Sequence, residues 1–211
     1  MRFASRLTTA TLSIAAGLAL LSYAHPAKAV TMESSLSAWQ AAVGSFTETT
    51  NLGVPNGTLV NSATLADGTS LGFAQTLQTA SIGAGWATWC CGYTGQVLES
   101  YGTGSYHSEN WTISPVSGFG MYIEPDPFGT FNITLGLDTG QTLTQSVSGD
   151  AGAQFFGWAG TGVTSLTISS TVDFAEGDFF SSKAVPEPAS LAIFGTALAG
   201  FGLIRRRRRS V

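Results

Sequence analysis

Residues 131–140 read Phe131-Asn132-Ile133-Thr134-Leu135-Gly136-Leu137-Asp138-Thr139-Gly140. Apolar residues occupy every second position up to Leu137, and small or polar residues fill the positions between them. This period of two places one face of a strand in a core and the other face in solvent. The last three residues read as a hairpin loop in which Gly140 supplies a positive φ. The stretch therefore predicts a strand that turns back into an antiparallel partner.

The same alternation extends to both sides of this hairpin. Pro125 and Pro127 should end the preceding strand, because proline cannot donate to a sheet ladder. Strand-like runs recur about every 8 to 12 residues without helices between them, which is typical of antiparallel two-layer folds. We predict a mainly β fold, an antiparallel jelly-roll-like β-sandwich. Its predicted core consists of Phe119, Met121, Ile123, Phe131, Ile133, Leu135, Phe155, Leu166 and Ile168.

One short N-terminal helix is expected before the strands, from Ser35 to Val43. Ser34 or Ser35 can cap its first turn, because a serine oxygen accepts a hydrogen bond from a free backbone N–H group. Trp39 and Val43 lie on one face at helical spacing, and Gly44 can end the helix.

The first 29 residues have the three parts of a secretory signal peptide. Arg2 and Arg6 give the positive region, Leu12 to Tyr23 give the apolar region, and Ala27-Lys28-Ala29 gives the pattern that signal peptidase cleaves. We predict cleavage after Ala29 and export across the inner membrane. An uncleaved anchor is the alternative, but an apolar region of about 12 residues is too short to span a bilayer.

Residues 30–184 form one predicted domain, because their number suits a single hydrophobic core. The chain has 9 basic and 13 acidic residues, of which only Lys183 and 12 acids lie in this domain, so its formal charge is −11. Such a surface cannot neutralise phosphates, which excludes nucleic acid as an expected partner. Divalent cations and neutral glycans are compatible with it.

The C-terminal residues 185–211 differ from the domain in composition. Pro186-Glu187-Pro188 leads into an uncharged run of 17 residues from Pro188 to Ile204. As a helix at ~1.5 Å per residue, this run spans roughly 25 Å, close to the ~30 Å hydrocarbon core of a bilayer. We predict a C-terminal transmembrane helix, followed by a cytoplasmic membrane stop made of Arg205, Arg206, Arg207, Arg208 and Arg209.

This order of features resembles the sorting tail of PEP-CTERM proteins of Gram-negative bacteria. The resemblance rests on Pro186-Glu187-Pro188, the apolar run and the arginine cluster, which together cover about an eighth of the chain. It implies that an exosortase, a membrane cysteine transpeptidase, processes the chain near Pro186-Glu187-Pro188. Such proteins occur in bacteria that make exopolysaccharide. The tail is also known as an ice-binding protein C-terminal domain, a label that describes the tail and does not show ice binding.

A looser resemblance covers residues 118–180, which are similar in pattern to the C-terminal half of many PEP-CTERM proteins. Those relatives are β-sandwiches, mostly without an assigned activity. The resemblance implies a sandwich fold here and gives no residue a chemical role.

Two cysteines, Cys90 and Cys91, are adjacent in this exported chain. Neighbours in a strand point to opposite faces, so a disulfide between them needs a strained turn, which Gly92 permits. Free thiols or intermolecular disulfides are the alternative, and the sequence leaves both open. A zinc site is not expected, because His107 is the only histidine of the mature domain and no CxxC spacing occurs.

Two patterns typical of hydrolases lack their usual context. Residues 68–72 match the G-x-S-x-G pattern with Ser70 at its centre, and His107 lies downstream, but the stretch reads as a turn and the start of a strand. Glu124 and Asp126 could form the carboxylate pair of a glycosidase, although acids near strand ends are more often simply solvated. We expect no catalytic residues and no enzymatic activity, with a secreted hydrolase as the least favoured alternative.

An acidic group near the end of the domain consists of Asp173, Glu176 and Asp178. Glu176 and Asp178 form a second candidate carboxylate pair for glycoside hydrolysis. With help from backbone carbonyls the three acids could hold Ca²⁺, but their spacing is not that of an EF-hand. They are weak calcium candidates, and no other metal or cofactor is expected.

Aromatic residues are concentrated between Trp86 and Trp111, where Trp89, Tyr93, Tyr101 and Tyr106 also occur. Exposed tryptophans can stack on sugar rings, which makes Trp86 and Trp89 candidate glycan-binding residues. Ordinary core packing is the alternative, because tryptophan is on average highly buried. The exposure of these two side chains separates the alternatives.

Three functions follow from these features. The first is an exported, exosortase-processed, non-enzymatic β-sandwich with a structural or adhesive role, associated with exopolysaccharide at the cell surface or in the extracellular matrix. The second is a glycan-binding module, with or without the assistance of Ca²⁺, and the third is the hydrolase. The expected partners are signal peptidase, exosortase, transiently the inner membrane, and exopolysaccharide.

Overall fold

The computed structural model of the protein describes residues 29–100 and 107–183. The predicted signal peptide up to Lys28, including Ala27, lies outside the described residues. So do Tyr101, Tyr106 and the whole tail, on which the predicted sorting motif, transmembrane helix and arginine stop fall. Within the two described ranges, no helix is long and apolar enough to cross a membrane.

One helix and twelve strands make up the described part of the chain. In order they are β1 (Thr31–Glu33), α1 (Leu36–Val43), β2 (Thr47–Thr49), β3 (Leu59–Thr64), β4 (Ser70–Ser81), β5 (Gln96–Ser100), β6 (Ser108–Ile113), β7 (Gly118–Pro125), β8 (Thr130–Leu137), β9 (Thr142–Ser148), β10 (Gln154–Ala159), β11 (Ser165–Ser169) and β12 (Phe174–Ser182). The prediction of a mainly β, antiparallel fold with one short helix near its start is confirmed.

Helix α1 forms where its capping residues predict it. The Ser35 side-chain oxygen accepts a hydrogen bond from the Ala38 N–H group at 3.3 Å. At the other end Gly44 has a φ of 77° and donates its N–H group to the Gln40 carbonyl at 2.9 Å. Trp39 is fully buried and donates its indole N–H to the Trp158 carbonyl at 2.8 Å, so the helix is fixed onto β10.

The β8–β9 hairpin confirms the period of two. Ile133 and Leu137 point inward and are buried, whereas Asn132 is exposed. The Leu137 N–H group donates to the Gln141 carbonyl at 2.9 Å, and Gly140 has a φ of 91° in the turn between the strands. The predicted end of the preceding strand is also confirmed, because β7 ends at Pro125.

Eight of the nine predicted core residues are buried, and Phe131 is the exception. Phe131 lies one residue into β8 and is only half-buried. Its ring packs beside Gly129, where an added Cβ would come within 3.1 Å of the ring. Phe131 therefore lies on the same face of β8 as the buried core residues, but its position near the end of the strand leaves part of the ring in solvent.

The strands form one continuous sheet, which corrects the predicted arrangement of two separate sheets. Its order is β1-β10-β7-β12-β5-β4-β6-β11-β8-β9, with β2 added beside β12 and β3 beside β4. The sheet curls until β7 and β10 lie across from β8 and β9, so the shape is close to a barrel. A single large hydrophobic core fills the space between the two walls.

The long strand β4 explains why the walls are joined. Its first part pairs with β6, where Leu71 lies opposite Ile113, and its last part pairs with β5, where Leu77 lies opposite Ser100. Between these parts the register with β3 shifts sharply. A strand that bends and changes partners in this way carries a sheet around a corner. Such a bend depends on long-range pairing, and the period of two does not reveal it.

Candidate functional site

A polar pocket of about 510 Å³ opens between β2, the turn after Trp89 and the middle of β12. Glu48, Cys91, Tyr93 and Asp178 are among the residues that line it. Two carboxyl groups, a thiol and a phenol therefore meet at one opening. Sequence reasoning did not bring them together, because β2 and β12 come from opposite ends of the domain and pair only in the folded sheet.

A bulge in β12 turns Asp178 into this pocket. The pairing of β12 with β7 shifts register between Gly177 and Phe180, and Asp178 has a φ of 53°, which is unusual for a residue other than glycine. Burial, followed by the charge and a hydrogen bond of Glu48, raises the pKa of Asp178 to about 7. Asp178 is therefore partly protonated near neutral pH.

The cysteine pair lies in a tight turn at the rim of the pocket. The Tyr93 N–H group donates to the Cys90 carbonyl at 3.2 Å, and Cys91 has a φ of 63°. Both thiols are free in the structure, Cys91 exposed and Cys90 half-buried. Burial, the neighbouring Cys91 and nearby acids raise the pKa of the Cys90 thiol to about 12. Cys90 is therefore protonated at neutral pH and a poor nucleophile.

A second group of acids lies inside the barrel. Glu109 and Glu176 are both fully buried and face each other. Glu109 accepts hydrogen bonds from the Ser100 hydroxyl at 2.8 Å and the Trp111 indole N–H at 2.9 Å. Burial and the charge of Glu109 raise the pKa of Glu176 well above its ordinary value. Burial raises the pKa of Glu109 as well, and the raised pKa of Glu176 favours a protonated Glu176 beside Glu109.

Sequence reasoning missed this carboxyl pair, although a signal for it existed. Glu109 shares the parity of Trp111 and Ile113 in β6, and those positions face the core. A glutamate at an inward position of an alternating strand indicates a buried carboxyl group that needs a partner. Its partner Glu176 could not be identified from sequence, because β6 and β12 are separated by two other strands in the sheet.

The three weak calcium candidates occupy separate environments. Glu176 faces Glu109 in the core, and Asp178 faces Glu48 in the pocket. Asp173 lies near the surface, with its Oδ1 atom 4.0 Å from His107 Nε2. Among residues 29–100 and 107–183, no three His, Cys, Asp or Glu side chains are grouped so that they could hold a metal ion. Calcium binding stays a prediction without a formed site.

The candidate hydrolase residues are likewise dispersed. Glu124 is buried and accepts hydrogen bonds from the Thr88 hydroxyl at 2.7 Å and the Ala151 N–H group at 3.1 Å, whereas Asp126 is exposed. Burial raises the pKa of Glu124. Residues 68–72 run from a turn into β4, as the sequence predicts. They do not form the strand-turn-helix geometry that exposes the nucleophilic serine of serine hydrolases, so Ser70 lacks that context.

Trp86 and Trp89 are buried, with 6% and 7% of their surface exposed. They pack with Val97 and Ala175 in a small second core, and the Trp89 ring lies 5.9 Å from that of Tyr93. A sugar ring needs an accessible aromatic face on which to stack. Burial therefore favours the packing alternative over a glycan-binding role for these two residues.

Comparison with known families identifies the tail. The PEP-CTERM protein-sorting motif matches residues 184–209. The matched range contains the predicted sorting residues and the arginine cluster, so the chain is an exported protein that an exosortase is expected to process. Comparison with curated proteins finds no match to the chain.

Proposed function

We propose that this PEP-CTERM protein is a non-enzymatic structural or adhesive component of the exopolysaccharide matrix. One observation carries the proposal, the position of the sorting motif relative to the fold. The last strand ends at Ser182 and the motif begins at residue 184, so only Lys183 separates them. Removal of the tail at Pro186-Glu187-Pro188 would release the whole barrel with almost no linker.

The charge of the domain supports a matrix location among uncharged polymers. Its 12 acids and single lysine give a formal charge of −11, which keeps the barrel soluble and apart from anionic membrane surfaces. Exopolysaccharide is the partner that we propose, because proteins with such a tail are expected in bacteria that make it. A barrel that holds to uncharged polysaccharide would remain at the cell surface after it has left the membrane.

Two of the candidate catalytic groups are held in states that do not suit catalysis. The Cys90 thiol is held in its protonated form, and the Glu124 carboxylate already accepts two hydrogen bonds from the protein itself. A nucleophile or general base needs an accessible atom and a pKa near the working pH. Neither group meets both requirements.

The proposal is tested with the purified chain and exopolysaccharide from a producing strain. We expect the chain to sediment with the polysaccharide, and the length distribution of the polysaccharide to stay unchanged after prolonged incubation, measured by size-exclusion chromatography. Heat-unfolded chain is the control for non-specific sedimentation. Shortened polysaccharide would show a hydrolase and contradict the proposal, as would a chain that stays in the supernatant.

A further inference from the structure

Four neighbouring strands on one wall of the barrel, β6, β11, β8 and β9, present an outer surface of hydroxyl and amide side chains. We call their outward-facing positions the hydroxyl face. The sheet register aligns these positions in rows that run across the strands. The first row consists of Thr144, Thr134, Ser169 and Ser108. With strands about 4.8 Å apart, a row of four spans roughly 14 Å.

A second row lies beside the first and consists of Thr142, Gly136, Thr167 and Asn110. Hydrogen bonds between neighbouring strands fix several of these side chains. The Thr167 hydroxyl donates to Asn110 Oδ1 at 2.9 Å, and in the first row the Thr134 and Thr144 hydroxyls are 2.8 Å apart. The face is therefore ordered before any ligand arrives, which lowers the entropy that binding would cost.

The hydroxyl face carries no charge, although the domain is strongly acidic. Strands β8, β9 and β11 contain no Asp, Glu, Lys or Arg, and neither does β4, which pairs with β6. The only acid in β6 is Glu109, which points inward and is fully buried. The acids that reach solvent lie on other strands and in the turns at the ends of these strands, such as Asp138 between β8 and β9.

A groove of about 320 Å³ crosses this face between β4, β6 and β11. It exists because Gly72 has no side chain opposite Thr112. A Cβ atom at Gly72 would lie 2.6 Å from Thr112 Oγ1, which now donates to the Gly72 carbonyl at 3.4 Å. Asn61, Asn110 and Thr167 also line the groove, so its walls supply both donors and acceptors.

We infer that the hydroxyl face is the surface that binds matrix polysaccharide, and that the polysaccharide it takes is uncharged. This inference rests on the proposed function and names the binding surface. Hydroxyl and amide groups both donate and accept hydrogen bonds, as sugar hydroxyls do. No charged side chain has to be desolvated when a polymer covers the face. An anionic polymer would be repelled by the acidic domain around it.

The test uses the full-length chain in detergent, with dextran, galactomannan and cellulose as uncharged polysaccharides and alginate as an anionic one. The variant combines Thr112→Glu and Thr144→Glu, two exposed positions on β6 and β9. Ala41→Glu, an exposed position on α1, is the matched control for an added carboxylate. Circular dichroism and melting temperature establish that each variant is folded, and Thr144→Glu alone replaces the double variant if that one is not.

We expect wild type to bind at least one uncharged polysaccharide and not alginate. The affinity of the double variant should be lower than that of wild type by about tenfold or more. Two or more hydrogen bonds are lost, and two carboxylates must be desolvated. The single variant should weaken binding by about threefold or more, and Ala41→Glu should stay within about twofold of wild type.

Several results would overturn the inference. Unchanged binding by the folded variants would place the polysaccharide elsewhere, and preferential binding to alginate would exclude an uncharged ligand. A wild-type dimer that dissociates in the double variant, without polysaccharide binding, would assign the face to a second copy of the chain. If wild type and variants sediment equally with native exopolysaccharide, the hydroxyl face is not the binding surface, and the proposed function stands. If wild type fails to sediment with it, both fail.

Discussion

The buried carboxyl pair of Glu109 and Glu176 should make the stability of the fold depend on pH. In the folded chain the pKa of Glu176 is raised well above its ordinary value of 4.5, first by burial and then by Glu109. The folded state therefore keeps a proton that the unfolded state loses above about pH 4.5. The stability present below that pH is lost as the pH rises towards the folded pKa, by about 1.4 kcal/mol per pH unit for one proton.

The substitution Glu176→Gln isolates this effect. Glutamine has nearly the same shape as glutamate and stays neutral at every pH. The free energy of unfolding of the variant should therefore fall less steeply with pH than that of wild type. The difference between the two slopes should be about 1.4 kcal/mol per pH unit while the wild-type fold retains its extra proton.

Chemical denaturation of the purified chain from about pH 5 to about pH 8 measures these slopes. The control is Ile133→Val, a buried substitution without a titrating group, which should lower stability by about 0.5–1.5 kcal/mol at every pH and leave the slope unchanged. Parallel curves for wild type and Glu176→Gln would refute the reasoning, because they would mean that Glu176 binds no extra proton in the folded state.

Three further predictions concern the core and the cysteine turn. Ile133→Ala should lower the free energy of unfolding by about 2–5 kcal/mol, whereas Thr134→Ala on the outer face should change it by about 0.5 kcal/mol. Equal effects in chemical denaturation would contradict the assignment of Ile133 to the core and Thr134 to the surface. Trp86→Ala should cost about 3–5 kcal/mol and leave polysaccharide sedimentation unchanged for the folded fraction, whereas an unchanged melting temperature with lost sedimentation would restore a sugar-stacking role. Iodoacetamide should modify Cys91 well before Cys90, because Cys91 is exposed and burial raises the pKa of Cys90. Mass spectrometry of a partial reaction measures the two rates, and equal labelling would contradict the burial of Cys90.

Features that depend on neighbours in sequence could be predicted. The serine cap and the glycine at the end of α1, the hairpin at Gly140 and the inward parity of Ile133 all follow from local hydrogen bonding or from the period of two. The sorting tail was equally local, because its three parts follow one another directly in the chain.

Features that depend on pairing between distant strands could not be predicted. The bend of β4 joins two walls that the alternation pattern describes separately. The bulge in β12 breaks the period of two, so Glu176 and Asp178, which a regular strand would place on one face, turn to the core and to the pocket. Trp86 and Trp89 show the same limit, because composition does not distinguish a buried tryptophan from an exposed one.

The central claim is that exosortase processing delivers the barrel to the polysaccharide matrix, and replacement of Pro186-Glu187-Pro188 by three alanines tests it most directly. The variant is expressed in a strain that makes both an exosortase and exopolysaccharide, and inner-membrane and matrix fractions are compared by immunoblotting. Export should continue, because the predicted signal peptide is separate from the tail. Wild type should be found in the matrix in processed form, and the variant should remain in the inner membrane with its tail attached. A variant that reaches the matrix in the same amount and at the same size as wild type would contradict the account.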